Sequence, residues 1–511
     1  MGAATFDVFI YGSHPGAIVA ACAAAQRGAK VGIGHHASHI GAPFSAGLGV
    51  TDLGRYGSKM LGSWIPNSFF TRVTAASGGS RNLTRQVPWL SEVVFGEMLR
   101  FYGVTPFFGP TYRAVSVAKT GQTTNSVTFA SGDVISFTVG IDGTDEQDLL
   151  ALAGCTLATG RESAAQYGES LAGFYPVWDT FTPADCYDGL GNLINGYSAY
   201  PDGASPGDAD DTMQVGGWRL ALTRRPDNVK LVAKPSNYDP SLFEYLRRGA
   251  PLGDPNWRPY GVSWTNFGKG DMNDDTGFDY IKGWGAGDVA ARSAIFMKMY
   301  AEKAGWLWFL QNDASVNPTT QAYCRALSLC RDEHLDGTAS SSIYGVTQTG
   351  WPYHIYLRDS RRLVGQYVMK QDDLQVNTTK ADTLSVGAYS IDNHTHRLLA
   401  VTKAGVAGYI RDGLGANPDT SVRQVVPGYQ IPARAARPLN SESVNLFTIT
   451  PSSSAVAMSS TRIDYWRMAF GAAVGLWAAK AVMEVTALDS ISIPALQTEL
   501  TGLGHVISYT P

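Results

Sequence analysis

Residues 6–11, FDVFIY, form an unbroken apolar run of the length of a buried strand. A glycine turn follows. Pro15–Gln26 is then rich in alanine, opens on proline and is closed by Arg27 and Gly28, which predicts a helix. KVGI at 30–33 is a second apolar run. Strand, glycine turn, helix and strand in this order open a dinucleotide-binding unit. HIGAPFSAGLGVTDLG at 39–54 is a glycine-rich loop suited to close approach of backbone to a ligand. Apolar positions at helical spacing predict a helix over 90–103. Alternation between 112 and 144 predicts a three-stranded meander and a strand ending at Gly143-Thr144. EQDLLALAG at 146–154 predicts a short helix with a glycine stop.

The pattern then loosens. Residues 166–285 are dominated by aromatics, Pro, Asp and Gly, which predicts a mainly β region with long loops. Residues 286–375 read as helical in three segments, 288–312, 317–330 and 358–374. Strands return from Ser385, and 462–484 predicts a long helix rich in small residues. The organisation expected is a first part at 1–165, a substrate or cap domain at 166–384, and a return to the first domain at 385–511. The fold class expected is α/β, a Rossmann-like domain of parallel sheet plus β-meander with an inserted α+β domain.

Composition narrows the function classes. Net charge is -4 and only 16% of residues are charged, so no basic field invites nucleic acid. No apolar run reaches the length of a membrane span, and no basic and apolar leader precedes the first strand. A soluble protein, cytoplasmic or particle-associated, is expected, alone, as a homo-oligomer or in a larger assembly. Its expected partner is a small-molecule substrate. Five scattered cysteines without a CxxC pair point to small core residues rather than a disulfide framework or a zinc ribbon. The NxS/T sites at Asn82, Asn377 and Asn393 read as incidental.

In the first turn, Gly12 allows the tight bend, Gly16 lies at the helix start, and Ala17 allows close helix–strand packing. His14 stands where a glycine usually lets backbone meet pyrophosphate. His35 stands where an acid usually holds a ribose. A neutral imidazole can accept one hydrogen bond but cannot replace a bidentate carboxylate, so weakened adenosine binding is expected. The HHASH stretch at 35–39 lacks a fixed helix and a completing Cys or acid, and no metal site is expected there. PGDADD at 206–211 reads as a solvated turn, with calcium as the lesser alternative.

These segments, taken in order, resemble the FAD-dependent oxidoreductase family of glutathione-reductase-like architecture, in its xanthan-lyase-like branch. YGSHPGAIVAACAAAQRGAKV is similar to that family's turn and alanine-rich helix. The loop at 39–54 resembles its flavin loop. VGIDGTDEQDLLALAG, GRESAAQYGE, GWPYHIYLRDSRRLVGQYVM, VGAYSIDNHTHR, YQIPARAARP and SSTRIDYWRMAFGAAVG resemble later motifs of the family, GWPYHIYLRDSRRLVGQYVM being similar to its signature helix. The resemblance implies FAD as cofactor, held less tightly for want of an acid at His35. It places Gly12, His14, Gly16, Ala17 and His35 beside the pyrophosphate and ribose. It places Ile40, Gly41, Ala42, Gly47 and Leu48 at the flavin and ribityl chain. Gly143 and Thr144 follow a strand at the cofactor, and Arg462 and Asp464 precede the last helix at the flavin end. His394, Asp392 and Arg358 are its implied catalytic residues. Arg361 and Arg362 are either on the substrate side or in structural ion pairs.

The chain departs from the family pattern at His35-His36, at Ala42-Pro43 and at Ala472. The activity implied is removal of a hydride from a small organic donor, with a carbohydrate or polyol suggested by Trp218, Trp257, Trp264 and Trp284. The alternative is a cofactor-free, flavoprotein-like scaffold acting as a structural or assembly subunit.

Overall fold

In a computed structural model, residues 4–53, 63–78, 85–275, 279–339, 342–413 and 428–508 are described; Asn82 and Gly54 fall outside them. The opening run is a strand, β1 (Ala4–Tyr11), followed by α1 (Pro15–Gln26) and β2 (Val31–His35). Helices α2 (Trp64–Ala76) and α3 (Pro88–Phe101) come next, then β3 (Thr105–Phe108), β4 (Ala114–Thr120), β5 (Thr123–Phe129) and β6 (Val134–Asp142). They form one sheet in the order β3-β2-β1-β6-β5-β4, and β7 (Leu446–Thr448) also pairs with β6. β1 runs parallel to β2 and β6, while β4 and β5 join antiparallel. The third strand of the expected meander is thus itself the strand that ends at Gly143. This is the mixed α/β architecture expected, with a parallel sheet and a β-meander.

Register places the strand ends together. Tyr11 pairs with Gly34 on one side and Asp142 on the other. Gly12, His35 and Gly143 therefore emerge side by side at the carboxyl ends of the strands, where open α/β sheets bind ligands.

Helix α1 is buried on every side from Pro15 to Ala24. It packs against α7 (Asp464–Met483), which follows α4 (Asp148–Leu152), α5 (Val289–Asn312) and α6 (Ala455–Thr461) in the chain. Small residues permit this contact. A Cβ on Gly471 would lie under 3.0 Å from the carbonyl oxygen of Gly16, and one on Gly475 equally close to that of Ala20.

The middle of the chain builds a second core on a five-stranded antiparallel sheet with Gly217–Thr223 at its centre. Trp218 packs there against Phe296 of α5 and against Trp351. A four-stranded sheet joins Pro176–Pro183 and Ser198–Ala199 to Arg397–Lys403 and Val406–Asp412. This sheet spans both sides of the expected boundary at 384/385.

The segment 358–374, expected to be helical throughout, is helical only at its end. It carries a two-residue strand, Arg362–Leu363, and a short helix, Gln371–Gln375. Its charges are consumed in buried pairs: Arg362 binds Asp359 at 2.8 Å and Glu162 at 2.9 Å, and Arg361 binds Asp148. A row of charges that would solvate a helix face instead anchors an extended strand. PGDADD is also more than a solvated turn, because Asp210 pairs with both Arg161 and Arg397. All five cysteines are buried and free.

Candidate functional site

The turn after β1 holds most of the expected cofactor residues together. Gly12 has φ of +150°, and a Cβ there would meet the backbone of Gly143 under 3.0 Å away, so only glycine fits. Gly41 donates its N–H to the Ser13 carbonyl at 2.7 Å, which docks the glycine-rich loop on the turn. Gly47, also at positive φ, lies against the Arg219 carbonyl. Ile40, Ala42 and Leu48 are buried in the same loop. Asp142 accepts from the N–H and hydroxyl of Thr144 and from the Leu150 N–H, fixing the segment between β6 and α4.

His14 is the N-cap of α1. Its Nδ1 accepts the Gly16 N–H at 2.9 Å, so Nε2 carries the proton and donates to Asp464 at 2.9 Å. Burial and the nearby Arg467 charge lower its pKa and keep the ring neutral. His14 thereby ties the start of α1 to the start of α7. His35 is hydrogen-bonded within its own turn and loop. The Ala37 N–H at 3.3 Å and the Ser13 hydroxyl at 3.1 Å both meet Nδ1, which leaves Nε2–H as a donor. Burial and His36 hold its pKa well below the ordinary value.

A cleft runs from this turn along the strand ends. Its wide end is a cavity of about 260 Å³, lined by His36, Ala114, Asp148, Arg292, Tyr344 and Arg361. A waist of about 20 Å³ follows at His35, Glu146, Trp284 and His354. The inner end, at Ser13, His14, Ala42, Gly143, Thr144 and Asp145, is only about 10 Å³. The three cavities are neighbours: His36 and Tyr344 line the first two, and His35, Glu146 and His354 line the last two.

A second polar cluster lies at the start of α7. Arg462 donates to the Tyr356 hydroxyl at 3.1 Å and to Asp392 at 3.2 Å, and His394 Nε2 meets Asp392 at 3.1 Å. Burial pushes the Asp392 carboxyl up, but His394, Arg462 and Arg358 override it and hold it well below the usual range. The Arg219 guanidinium stacks 4.5 Å from the Tyr356 ring centroid and pairs with Asp271 at 3.1 Å. Arg358 acts on Asp392 through its charge; its Nη1 donates to the Val215 carbonyl at 2.7 Å.

Beside the residues singled out in the sequence, these clusters contain Asp145, Glu146, His354, Arg467, Arg219 and Asp271, which were not singled out there. Asp145 and Glu146 follow Gly143-Thr144 directly, which was the available signal. The four tryptophans do not form one platform: Trp218 is fully buried, Trp284 donates to Glu146 in the cleft, and Trp264 is exposed on an edge strand.

A family model described as FAD dependent oxidoreductase matches residues 7–500. The chain belongs to the FAD-dependent oxidoreductase family. No curated protein was found to match it. Solved structures similar to part of it include THI4 of Thermovibrio ammonificans, at 19% identity and a TM-score of 0.23, over 33% of this chain and 71% of that one. L-proline dehydrogenase from P. horikoshii matches at 11% identity and a TM-score of 0.25, over 32% of this chain and 59% of that one. Thioredoxin reductase from Streptococcus pyogenes matches at 15% identity and a TM-score of 0.19, over 28% and 35%. The chain thus spans less than two thirds of the length of the latter two. Among the described residues no helix is long and apolar enough to cross a membrane.

FAD, the cofactor of this family, is a dinucleotide whose pyrophosphate belongs at the α1 N-terminus and whose ribose belongs at the end of β2. The backbone turn has the glycine geometry that such a ligand needs. Nε and Nη2 of Arg467, whose Nη1 pairs with Asp145 of the inner end, are buried without hydrogen-bond partners, as donors to an anion would be. The side chains now filling that inner end do not leave room for it.

Outside the cleft, HHASH makes an ion-pair tie. His39 Nδ1 meets Glu92 at 2.9 Å and Nε2 meets Asp336 at 3.2 Å, joining the loop, α3 and the 330s. Burial lowers its pKa, but the two carboxylates override this and raise it to about 9 from 6.5. A histidine shifted upward on folding stabilises fully below its unfolded pKa and ceases to do so as pH passes its folded one. His39→Gln is expected to cost about 2 kcal/mol at pH 6 and almost nothing at pH 10, by urea unfolding. An equal cost at both pH values would refute the tie.

Proposed function

We propose that the chain oxidises a small organic donor bearing a carboxylate, with FAD as the oxidant and the Tyr356–Arg462–Asp392–His394 cluster as the reaction site. The supporting observation is a set of buried, unsatisfied donors. Arg462 donates to the Tyr356 hydroxyl and to Asp392, and Arg219 pairs with Asp271. Nε of Arg219 and Nε of Arg462 are nonetheless buried without hydrogen-bond partners. Guanidinium donors of this kind favour an anionic group in a low-dielectric site.

FAD supplies the two-electron sink when bound. Asp392 accepts the His394 Nε2 proton and fixes the ring orientation. Nδ1 of His394 then takes the proton of a donor hydroxyl or amine as its C–H bond breaks. Arg462 and Tyr356 orient the donor, and the partial positive charge at the α7 N-terminus favours negative charge gathering there.

The test is anaerobic bleaching of the flavin band in FAD-loaded protein. Small 2-hydroxy acids are expected to bleach it, and Asp392→Asn to slow that step by about 10²-fold or more. Bleaching by neutral polyols or sugars alone would refute the acid donor and restore the carbohydrate reading. A second reading, a cofactor-free scaffold subunit, is favoured by the 10 Å³ inner end of the cleft. It predicts a protein that no treatment loads with flavin.

A further inference from the structure

We propose that Asp145 is a built-in occupant of the cleft's phosphate seat, and that any pyrophosphate ligand must displace it. Asp145 follows the Gly143 turn and lines the inner cavity with Ser13 and His14. Its Oδ1 receives Arg467 Nη1 at 2.6 Å, and His354 Nε2 stands 3.8 Å from Oδ2. Ser13, His14 and Arg467 are all buried. This is an acceptor-rich, negatively charged group beside a helix N-terminus and a buried guanidinium, the surroundings that a phosphate takes.

Two further observations extend the argument. The Gly16 N–H, a donor at the helix start, is already satisfied by His14 Nδ1. Arg467, in contrast, keeps Nε and Nη2 without partners although it is buried, so its donor capacity exceeds what Asp145 uses. Asp145 thus neutralises the seat without saturating it. Burial favours the protonated acid, but the Arg467 guanidinium outweighs it and holds the Asp145 pKa below its ordinary value, so the occupant is anionic. A bound pyrophosphate would have to overcome both its volume and its charge.

The inference rests on the FAD reading of this cleft, and its test separates the two. FAD binding to wild type, Asp145→Asn and Asp145→Ala is followed by quenching of flavin fluorescence, and melting by calorimetry with and without inorganic pyrophosphate. Asp145→Ala is expected to bind FAD at least about tenfold more tightly, because a like charge leaves the seat. It should also melt lower than wild type without anion, because Arg467 loses its buried partner, and pyrophosphate should restore the loss. Asp145→Asn, which keeps the shape, should lie between. Equal FAD affinity in all three proteins would overturn the occupant and leave the FAD reading intact. A lowered melting point that no anion restores would make Asp145 a structural partner of Arg467 only and would also overturn it. Failure of all three to bind either FAD or pyrophosphate would overturn both.

Discussion

Asp412→Ala is expected to cost about 4 kcal/mol of folding stability, the loss typical of a buried ion pair broken from one side. Asp412 is fully buried at the end of the strand Val406–Asp412. Its carboxylate takes both Nη atoms of Arg161, at 2.8 and 2.9 Å, the Nε of Arg397 at 2.8 Å, and the Tyr175 N–H at 3.1 Å. Removing it leaves two cations in a low-dielectric interior sharing Asp210, which already pairs with both. Asp412→Asn keeps the shape and one acceptor, and should cost less. Chemical denaturation of the three proteins measures this, and a cost below about 1 kcal/mol for the alanine variant would mean that solvent already screens the pair.

Gly471→Val should be equally severe, at least about 3 kcal/mol, because overpacking here meets backbone rather than a yielding side chain. The added Cβ would strike the carbonyl of Gly16, so α1 and α7 would have to separate. Separation would also part His14 from Asp464. Gly96 in α3 supplies the control. A Cβ there meets nothing within 4 Å, so Gly96→Ala should stabilise by about 0.5–1 kcal/mol through helix propensity. Thermal melts of the two variants should move in opposite directions. A shared direction would refute the packing account.

What could be read in the sequence was local. The first βαβ unit follows from an apolar run, a glycine and an alanine stretch within thirty-five residues, and the helix bounds Pro15–Gln26 agree to the residue. α5 was legible through its 288–312 pattern, and its N-cap, Asp288, accepts from the Ala291 N–H. Among the described residues five helices went unread: α2, Ala164–Tyr167, Glu244–Gly249, α6 and Ile493–Gly502. The helical reading of 358–374 failed over most of its length because Arg358, Arg361 and Arg362 find carboxylates and carbonyls far away in the chain. The same distance hid half of the site. His14 meets Asp464 across 450 positions, and His39 meets Asp336 across 297. Motif spacing carries no record of such pairs. The role of His35 depended on a backbone N–H two residues on, a detail of loop conformation that residue type alone does not specify.

The pairing of α1 with α7 also bears on how the chain is made. Helix α1 is apolar on all sides, yet the helix that covers it lies hundreds of residues further along the chain. At about 5–20 residues per second, roughly 20 to 90 seconds separate the two. Throughout that interval the first glycine turn has no second helix to brace it. The glycine turn is therefore braced only once α7 has been made, and a chain stalled before residue 464 presents an uncovered alanine-rich surface to chaperones and proteases.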